Sequence, residues 1–133
     1  MTALLDVNIL LDVFLKRDPW FDESRAVWQA CDDGKFDGYV SAVTVTNIWY
    51  LARRMQGREK ALEAVEQCLK SFRIAPTTGA ALQAALEMRG GDFEDNVQIA
   101  SAILLDTIVT RDEHGFAHSS VEVVKPREFL NRL

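Results

Sequence analysis

Short apolar runs alternate along the chain with longer segments whose apolar residues recur every three or four positions. A run of about four apolar residues is typical of a buried strand, whereas the longer spacing predicts a helix. Strands are predicted at residues 2–6, 38–41, 72–76, 107–110 and 121–124. Helices are predicted at residues 7–16, 20–34, 42–55, 58–71, 78–89, 92 to about 105, and 126–133.

Short strands separated by helices favour parallel pairing, because a parallel pair needs a long crossover connection. We therefore expect an α/β protein, a three-layer α/β/α sandwich around a central parallel sheet of four or five short strands. The 133 residues match one ordinary domain, so residues 1–133 are assigned to a single domain. In such folds the functional site lies beyond the carboxyl ends of the strands.

Composition limits the function without deciding it. No apolar run approaches the ~18 residues of a membrane span, and the start of the chain lacks the features of a signal peptide. We expect a cytoplasmic protein with no membrane contact, in which Cys31 and Cys68 are buried and reduced. The formal charge of −5 disfavours nucleic acid, unless acidic residues bind divalent cations that reverse the local charge.

Four carboxylates follow or flank the predicted strand ends. Asp6 ends the first strand, Asp112 comes just after the strand at 107–110, and Asp92 and Asp95 begin a helix. Residues three apart on a helix share a face, so all four side chains can converge at one edge of the sheet. Hard oxygen ligands without nearby thiols suit Mg²⁺ or Mn²⁺, which can activate water for attack on a phosphodiester.

Each of these acids also has a purely structural explanation. Asp92 follows two glycines and is well placed to cap a helix, and Asp95 would favour the same helix N-terminus. An aspartate after a strand, such as Asp6 or Asp112, is commonly a turn residue. The spacing alone leaves the structural and the metal-binding explanations open.

An ordered set of motifs resembles the PIN-domain family, in particular the small prokaryotic branch that includes the VapC-type toxins. The motifs span the chain and are specific as a set. They are Leu4-Leu5-Asp6-Val7-Asn8-Ile9-Leu10-Leu11-Asp12, Val40-Ser41-Ala42-Val43-Thr44, Asp92-Phe93-Glu94-Asp95, Ile108-Val109-Thr110-Arg111-Asp112 and Lys125-Pro126-Arg127-Glu128-Phe129-Leu130.

The resemblance implies a three-layer α/β/α sandwich and metal-dependent cleavage of RNA, a ribonuclease activity in which Mg²⁺ or Mn²⁺ is the cofactor. It implies that Asp6 is the first metal ligand, Asp95 the second and Asp112 the carboxylate that closes the site. Asp92 matches an acid of the branch with the Asp-Phe-Glu-Asp motif and is expected to assist.

The resemblance also implies supporting roles. Asn8 and Ser41 would hold the site by hydrogen bonds, and Thr110 would orient a water or a phosphate. Asp12 fits the motif but lies further along the first helix, so it is interpreted as structural or as a residue that supports the metal ligands.

One position departs from the family pattern. Most members carry a glutamate on the helix after the second strand, where this chain has Asn47, a neutral amide. The branch with Asp-Phe-Glu-Asp shares this asparagine, and Asp92 is expected to replace the missing charge. The alternative is a non-catalytic PIN-like module that binds RNA or another partner.

Substrate and partner contacts are expected outside the acidic cluster. Arg53, Arg54 and Arg111 are the candidates for RNA phosphates. PIN-domain toxins pair as homodimers and are inhibited by a small antitoxin protein, so both partners are expected here. Trp49 and Tyr50 are adjacent and face different sides of their helix, so one of them can lie at such an interface.

A phospho-acceptor receiver domain is a weaker alternative. It would share the size, the α/β alternation, an acid after the first strand, Thr110 and the Lys125-Pro126 pair. A receiver needs an acceptor aspartate at the end of a middle strand, and residues 72–76 contain none. It also leaves Asp92 and Asp95 unexplained.

Overall fold

The computed structural model describes residues 1–133, which form five strands and seven helices. The strands are β1 (Thr2–Leu5), β2 (Asp37–Ser41), β3 (Arg73–Ala75), β4 (Thr107–Val109) and β5 (Glu122–Val124). The helices are α1 (Val7–Phe14), α2 (Phe21–Asp32), α3 (Ala42–Gln56), α4 (Arg58–Ser71), α5 (Gly79–Glu87), α6 (Phe93–Ser101) and α7 (Pro126–Arg132).

The strands form one fully parallel sheet in the order β3-β2-β1-β4-β5. The predicted α/β class and parallel sheet are therefore confirmed, with five strands. In the receiver-like arrangement, order 2-1-3-4-5, the third strand lies in the middle of the sheet. Here β3 lies at an edge, which excludes that alternative.

Side chains of successive strand residues point to opposite faces of the sheet, and each face is covered by helices. Ala3 and Leu5 pack in a core with α1, α2, α3, α4 and α7, whereas Leu4 packs in a second core with α6. All three side chains are fully buried. The central strand β1 thus joins both cores, and its carboxyl end is held on both sides by β2 and β4.

Most predicted helix bounds lie within two residues of those observed, but the prediction for α6 was too long. The helix ends at Ser101 instead of about residue 105. The N–H of Ala102 donates to the carbonyls of both Gln98 and Ile99, which tightens the last turn. This turn keeps Ala102 buried while Leu104 is left 94% exposed, and it directs the chain into β4.

The two cysteines are free, as expected, although only Cys68 is fully buried. Burial raises the pKa of the Cys68 thiol to about 12. Cys31 is half-buried, because its side chain lies at the rim of the larger core, where its thiol reaches the carbonyl of Ser71. None of the helices combines the length and the hydropathy needed to cross a membrane.

A buried aspartate connects three separate segments of the chain. The Asp12 carboxylate, 0% exposed, accepts hydrogen bonds from Nε and Nη2 of Arg111 at 2.8 and 2.9 Å. The hydroxyl of Ser24 donates to it at 2.9 Å, and Arg17 lies 3.9 Å away. Asp12 therefore ties α1 to α2 and to the segment after β4, which agrees with its predicted structural role.

Breaking this buried pair should be far more costly than breaking an exposed one. We expect Asp12→Ala to lower the free energy of unfolding by about 3 to 5 kcal/mol, because Arg111 loses its partner in a largely buried place. The matched change Asp37→Ala removes an exposed pair with Arg73 at 3.7 Å and should cost less than about 1 kcal/mol. Urea denaturation of both variants measures this, and equal losses would contradict the assignment.

Candidate active site

The site begins where the neighbouring strands β1 and β4 end. Leu5 pairs with Val109, and the N–H of Asp6 continues this ladder to the carbonyl of Val109 at 3.0 Å. Asp6 therefore leaves the sheet beside the segment that carries Asp112. The Asp6 side chain is 5% exposed, whereas Asp112 lies on the surface.

The hydroxyl of Thr110 links these two acids. It donates to Oδ2 of Asp6 at 2.8 Å and accepts from the backbone N–H of Asp112 at 3.0 Å. Thr110 is itself fully buried. The hydroxyl of Thr110 therefore holds Asp6, and its role in orienting a water or a phosphate stays a prediction.

Asp95 reaches the same edge from the first turn of α6. Asp92 caps this helix, and its Oδ1 accepts a hydrogen bond from the N–H of Asp95 at 2.9 Å. The capping interpretation of Asp92 is confirmed. The cap fixes the direction of the first turn and thereby the position of Asp95, whose side chain is half-buried.

A glycine brings the side chains of Asp95 and Asp112 together. The N–H of Gly115 donates to Oδ1 of Asp112 at 3.0 Å. A Cβ atom at Gly115 would lie 2.7 Å from Oδ2 of Asp112 and 3.0 Å from Oδ2 of Asp95. Both carboxylates thus occupy the space beside this glycine. The sequence did not predict the role of Gly115, because the loop that carries it has no periodic pattern.

The electrostatics of the edge reflect crowded negative charge. The pKa of Asp95 is raised to about 6, first by burial and then by the charges of Asp92, Asp6, Asp112 and Glu94. An elevated carboxyl pKa of this origin marks a place where negative charge lacks compensation.

The pKa of Asp6 is also raised, mainly by burial and also by Asp112. The hydrogen bond from Thr110 and the positive charge of Arg111 act in the opposite direction. A nearby cation would therefore stabilise the ionised forms of both Asp6 and Asp95, the two least exposed acids of the edge.

The donors fit a hard divalent cation, since they are carboxylate oxygens with no thiol among them. As the side chains stand, no group of three Asp, Glu, His or Cys residues is close enough to hold one ion. Mg²⁺ is commonly held by one or two carboxylates and keeps several water ligands, so the pair beside Gly115 has a suitable number of donors. Asp95 and Asp112 would hold such an ion, with Asp6 behind them.

Asn47 has a partner that the sequence did not reveal. Its Nδ2 donates to Oε1 of Glu94 at 2.6 Å, which connects α3 to the first turn of α6. Glu94 raises the pKa of Asp95, so its charge acts on the site. The carboxylate of Glu94 thus lies against Asn47, and the charges of both Asp92 and Glu94 act on Asp95.

Two predicted supporting residues make their hydrogen bonds elsewhere. Asn8 accepts from Nη1 of Arg17 at 3.4 Å, because its side chain points along α1 toward that arginine. Ser41 caps α3 by accepting from the N–H of Thr44 at 3.1 Å, and this pair continues to Gln98 on α6. Neither residue bonds to a carboxylate of the site, so Ser41 contributes only by joining α3 to α6.

The arginines predicted to contact RNA lie in different surroundings. Arg111 is held by Asp12, which fixes the position of its guanidinium, and its contact with a phosphate remains a prediction. Arg53 and Arg54 are exposed near the end of α3. At 1.5 Å per residue, Arg53 is about 18 Å along the helix from Ser41 at the site edge. They remain predicted contacts for a part of the RNA distant from the carboxylates.

Comparison with known proteins identifies the class. The family profile of the PIN domain matches residues 2–114, and the chain therefore belongs to the PIN domain family. Ribonuclease VapC1 of Aquifex aeolicus (strain VF5) is 24% identical over 136 residues, covering 98% of this chain and 94% of that protein.

Solved structures share the fold. The Mycobacterium tuberculosis toxin VapC20, described as cleaving the sarcin-ricin loop, has a TM-score of 0.71 at 17% identity, covering 91% of this chain and 98% of that one. DNA-bound VapBC from Salmonella typhimurium also has a TM-score of 0.71, at 15% identity, covering 95% and 98% of the two chains.

Adding a methyl group at Gly115 should disturb the acidic pair. We expect Gly115→Ala to weaken Mn²⁺ binding by roughly tenfold or more, as when groups that support metal ligands are removed. Gly79→Ala is the matched control, because nothing lies within 4 Å of a Cβ placed there. Titration calorimetry measures both affinities, and equal Mn²⁺ binding by the two variants would show that Gly115 does not shape the site.

The raised pKa of Asp95 predicts a pH-dependent effect on stability. Its pKa is about 6 in the folded chain against an ordinary 3.8, so the stability it contributes is present below 3.8 and lost as the pH rises through about 6. Without divalent cations, Asp95→Asn should therefore melt at a higher temperature than wild type at pH 7.5, and the advantage should shrink at pH 4.

Thermal unfolding followed by circular dichroism in EDTA measures this difference. Asp32→Asn, which changes an exposed carboxylate at the end of α2, is the control for loss of a charge elsewhere on the surface. A stabilisation by Asp95→Asn that is equal at both pH values would contradict the electrostatic account.

Proposed function

We propose that this chain is a metal-dependent endoribonuclease that hydrolyses RNA phosphodiester bonds and acts as the toxin of a toxin–antitoxin pair. The observation that carries the proposal is the convergence of Asp95 and Asp112 beside Gly115, with buried Asp6 fixed behind them by Thr110. The ribonuclease name of the Aquifex aeolicus relative and the toxin description of the Mycobacterium tuberculosis structure support it.

In this proposal the residues of the edge have separate roles. Asp95 and Asp112 hold Mg²⁺ or Mn²⁺, Asp6 strengthens the negative field behind them, and Asp92 assists through the cap that positions Asp95. The cation supplies Lewis acidity and an activated water at the phosphodiester. Neutralising the crowded carboxylates also allows an anionic RNA strand to approach the edge.

The proposal includes a small antitoxin protein and a homodimer as partners. A solved toxin-antitoxin complex from Klebsiella pneumoniae, which matches this chain with a TM-score of 0.70 at 23% identity, supports the first. An exposed aromatic side chain supports a protein interface on α3, where Tyr50 is 63% exposed while neighbouring Trp49 packs against the core. Of the two aromatic residues, Tyr50 is therefore the one that can contact a protein partner.

A second candidate is a PIN-like module that binds RNA without cleaving it. Two observations favour it, the neutral Asn47 in place of a glutamate and the lack of three acidic side chains gathered around one point. Glu94 argues against it, because its carboxylate lies against Asn47 and acts on Asp95.

Cleavage of RNA separates the two candidates. Purified protein incubated with mixed RNAs in Mn²⁺ or Mg²⁺ should cut them, and EDTA should abolish cleavage. Asp95→Asn should slow cleavage by roughly a hundredfold or more, since losing a metal ligand removes several kcal/mol of transition-state stabilisation. Asp32→Asn should cut at the wild-type rate, and equal cleavage by the wild type and Asp95→Asn would contradict the proposal.

The toxin role is tested in cells. Induced expression of the wild-type chain in a bacterium should arrest growth, and Asp95→Asn at the same protein level should not. Arrest that Asp95→Asn also causes would point to a toxicity unrelated to the carboxylate edge. If the wild-type chain cleaves RNA in vitro but does not arrest growth, the protein is a ribonuclease and not a toxin.

A further inference from the structure

A small groove with a positively charged lining lies beside the acidic edge. It has a volume of about 320 Å³ and its lining includes Trp20, Arg111, Lys125 and Arg127. Three of its lining side chains are cationic and one, Glu23, is acidic. Each cation has a carboxylate partner, which is Asp12 for Arg111, Glu113 for Lys125 and Glu23 for Arg127.

The groove is close to the proposed active site because of the sheet topology. Arg111 follows β4 and Lys125 follows the adjacent strand β5, so both leave the sheet at the carboxyl edge. The Lys125 ammonium lies 3.2 Å from the carboxylate of Glu113, the residue next to Asp112. A strand of RNA at Asp112 therefore passes the mouth of this groove.

The cations of the groove differ in how they are held. Arg111 is fixed, because Asp12 binds its Nε and Nη2 and its guanidinium carbon lies 3.9 Å from the ring centre of Trp20. Lys125 and Arg127 have exposed side chains, which pair with the glutamates Glu113 and Glu23. Such exposed pairs are weak and readily exchange for a phosphate.

Trp20 adds a flat apolar surface to the groove. Arg111 stacks over its ring, yet 41% of the residue remains exposed. Exposed aromatic rings beside a positively charged groove are the usual elements of single-strand binding, in which bases stack and cations follow the backbone. Protein interfaces, by contrast, are depleted in lysine and glutamate, and this groove contains both.

We propose that the groove of Trp20, Arg111, Lys125 and Arg127 binds the RNA strand next to the cleaved bond, through its phosphates and one stacked base. The inference rests on the proposed function, since it takes RNA as the substrate. It places the main substrate contact beside β4 and β5, separate from Arg53 and Arg54 at the far end of α3.

The test measures binding of a labelled single-stranded RNA 12-mer by fluorescence anisotropy at several salt concentrations. An Asp95→Asn background prevents cleavage during the titration. Adding Lys125→Ala and Arg127→Ala should weaken binding about tenfold or more. The plot of log affinity against log salt should flatten by about 1.4, because each phosphate contact on a single strand contributes about 0.7.

The matched control removes the same charge from another surface. Lys60 and Lys70 lie on α4, and their ammonium groups are 3.7 and 3.4 Å from glutamate oxygens. These two ion pairs are exposed, like those of Lys125 and Arg127 in the groove. Lys60→Ala with Lys70→Ala should change affinity less than twofold. Equal effects of the two double variants, or no effect of either, would overturn the groove as the binding site.

Trp20 has its own readout. RNA should quench the tryptophan fluorescence of the background protein, and Trp20→Phe should lose most of that quenching while melting at the same temperature. Quenching that survives Trp20→Phe would overturn the stacking role. If the background protein binds no RNA at all, the result contradicts RNA as the substrate and with it the proposed function. If both double variants bind RNA equally well, the result contradicts only the groove as the binding site.

Discussion

The parallel pairing of β1 with β4 is the constraint on which the rest of this structure depends. It places Asp6 and Asp112 side by side at the carboxyl edge, and the cap by Asp92 directs Asp95 toward them. Burial first, and then the neighbouring negative charges, raise the pKa of Asp95 and make its ionised form less favourable. A cation bound at this edge would relieve the repulsion.

The surrounding residues hold the acids without cancelling their charge. Thr110 fixes Asp6 by a neutral hydroxyl, and Gly115 gives the side chains of Asp95 and Asp112 the space of a missing Cβ. Arg111, whose positive charge acts on Asp6, is held by Asp12 through two hydrogen bonds. A positively charged side chain is thus kept near the edge and prevented from collapsing into it, which leaves the carboxylates open to a metal ion.

The sequence predicted the features that follow from local patterns. Hydrophobic periodicity predicted the strands and helices, and the position of Asp6 and Asp112 after strands predicted that they share an edge. The cap by Asp92 was also predicted, because the two glycines before it and the apolar helix after it are local signals.

The contacts that the sequence could not reveal join residues far apart in the chain. Asn47 meets Glu94, Arg111 meets Asp12, and Gly115 meets Asp95 across a loop. Each partner is chosen by side-chain geometry, about which spacing carries no information. For this reason the sequence did not predict the partners of Asn47, Arg111 and Gly115.

The central claim is that the acidic edge binds a divalent cation through Asp95 and Asp112, with Asp6 behind them. The most direct measurement is anomalous X-ray diffraction from crystals grown with Mn²⁺. The account predicts an anomalous peak beside Gly115, with carboxylate oxygens of Asp95 and Asp112 about 2.1 to 2.2 Å from the ion, the distance typical of small hard cations. A well-ordered edge without that peak at saturating Mn²⁺ would contradict it.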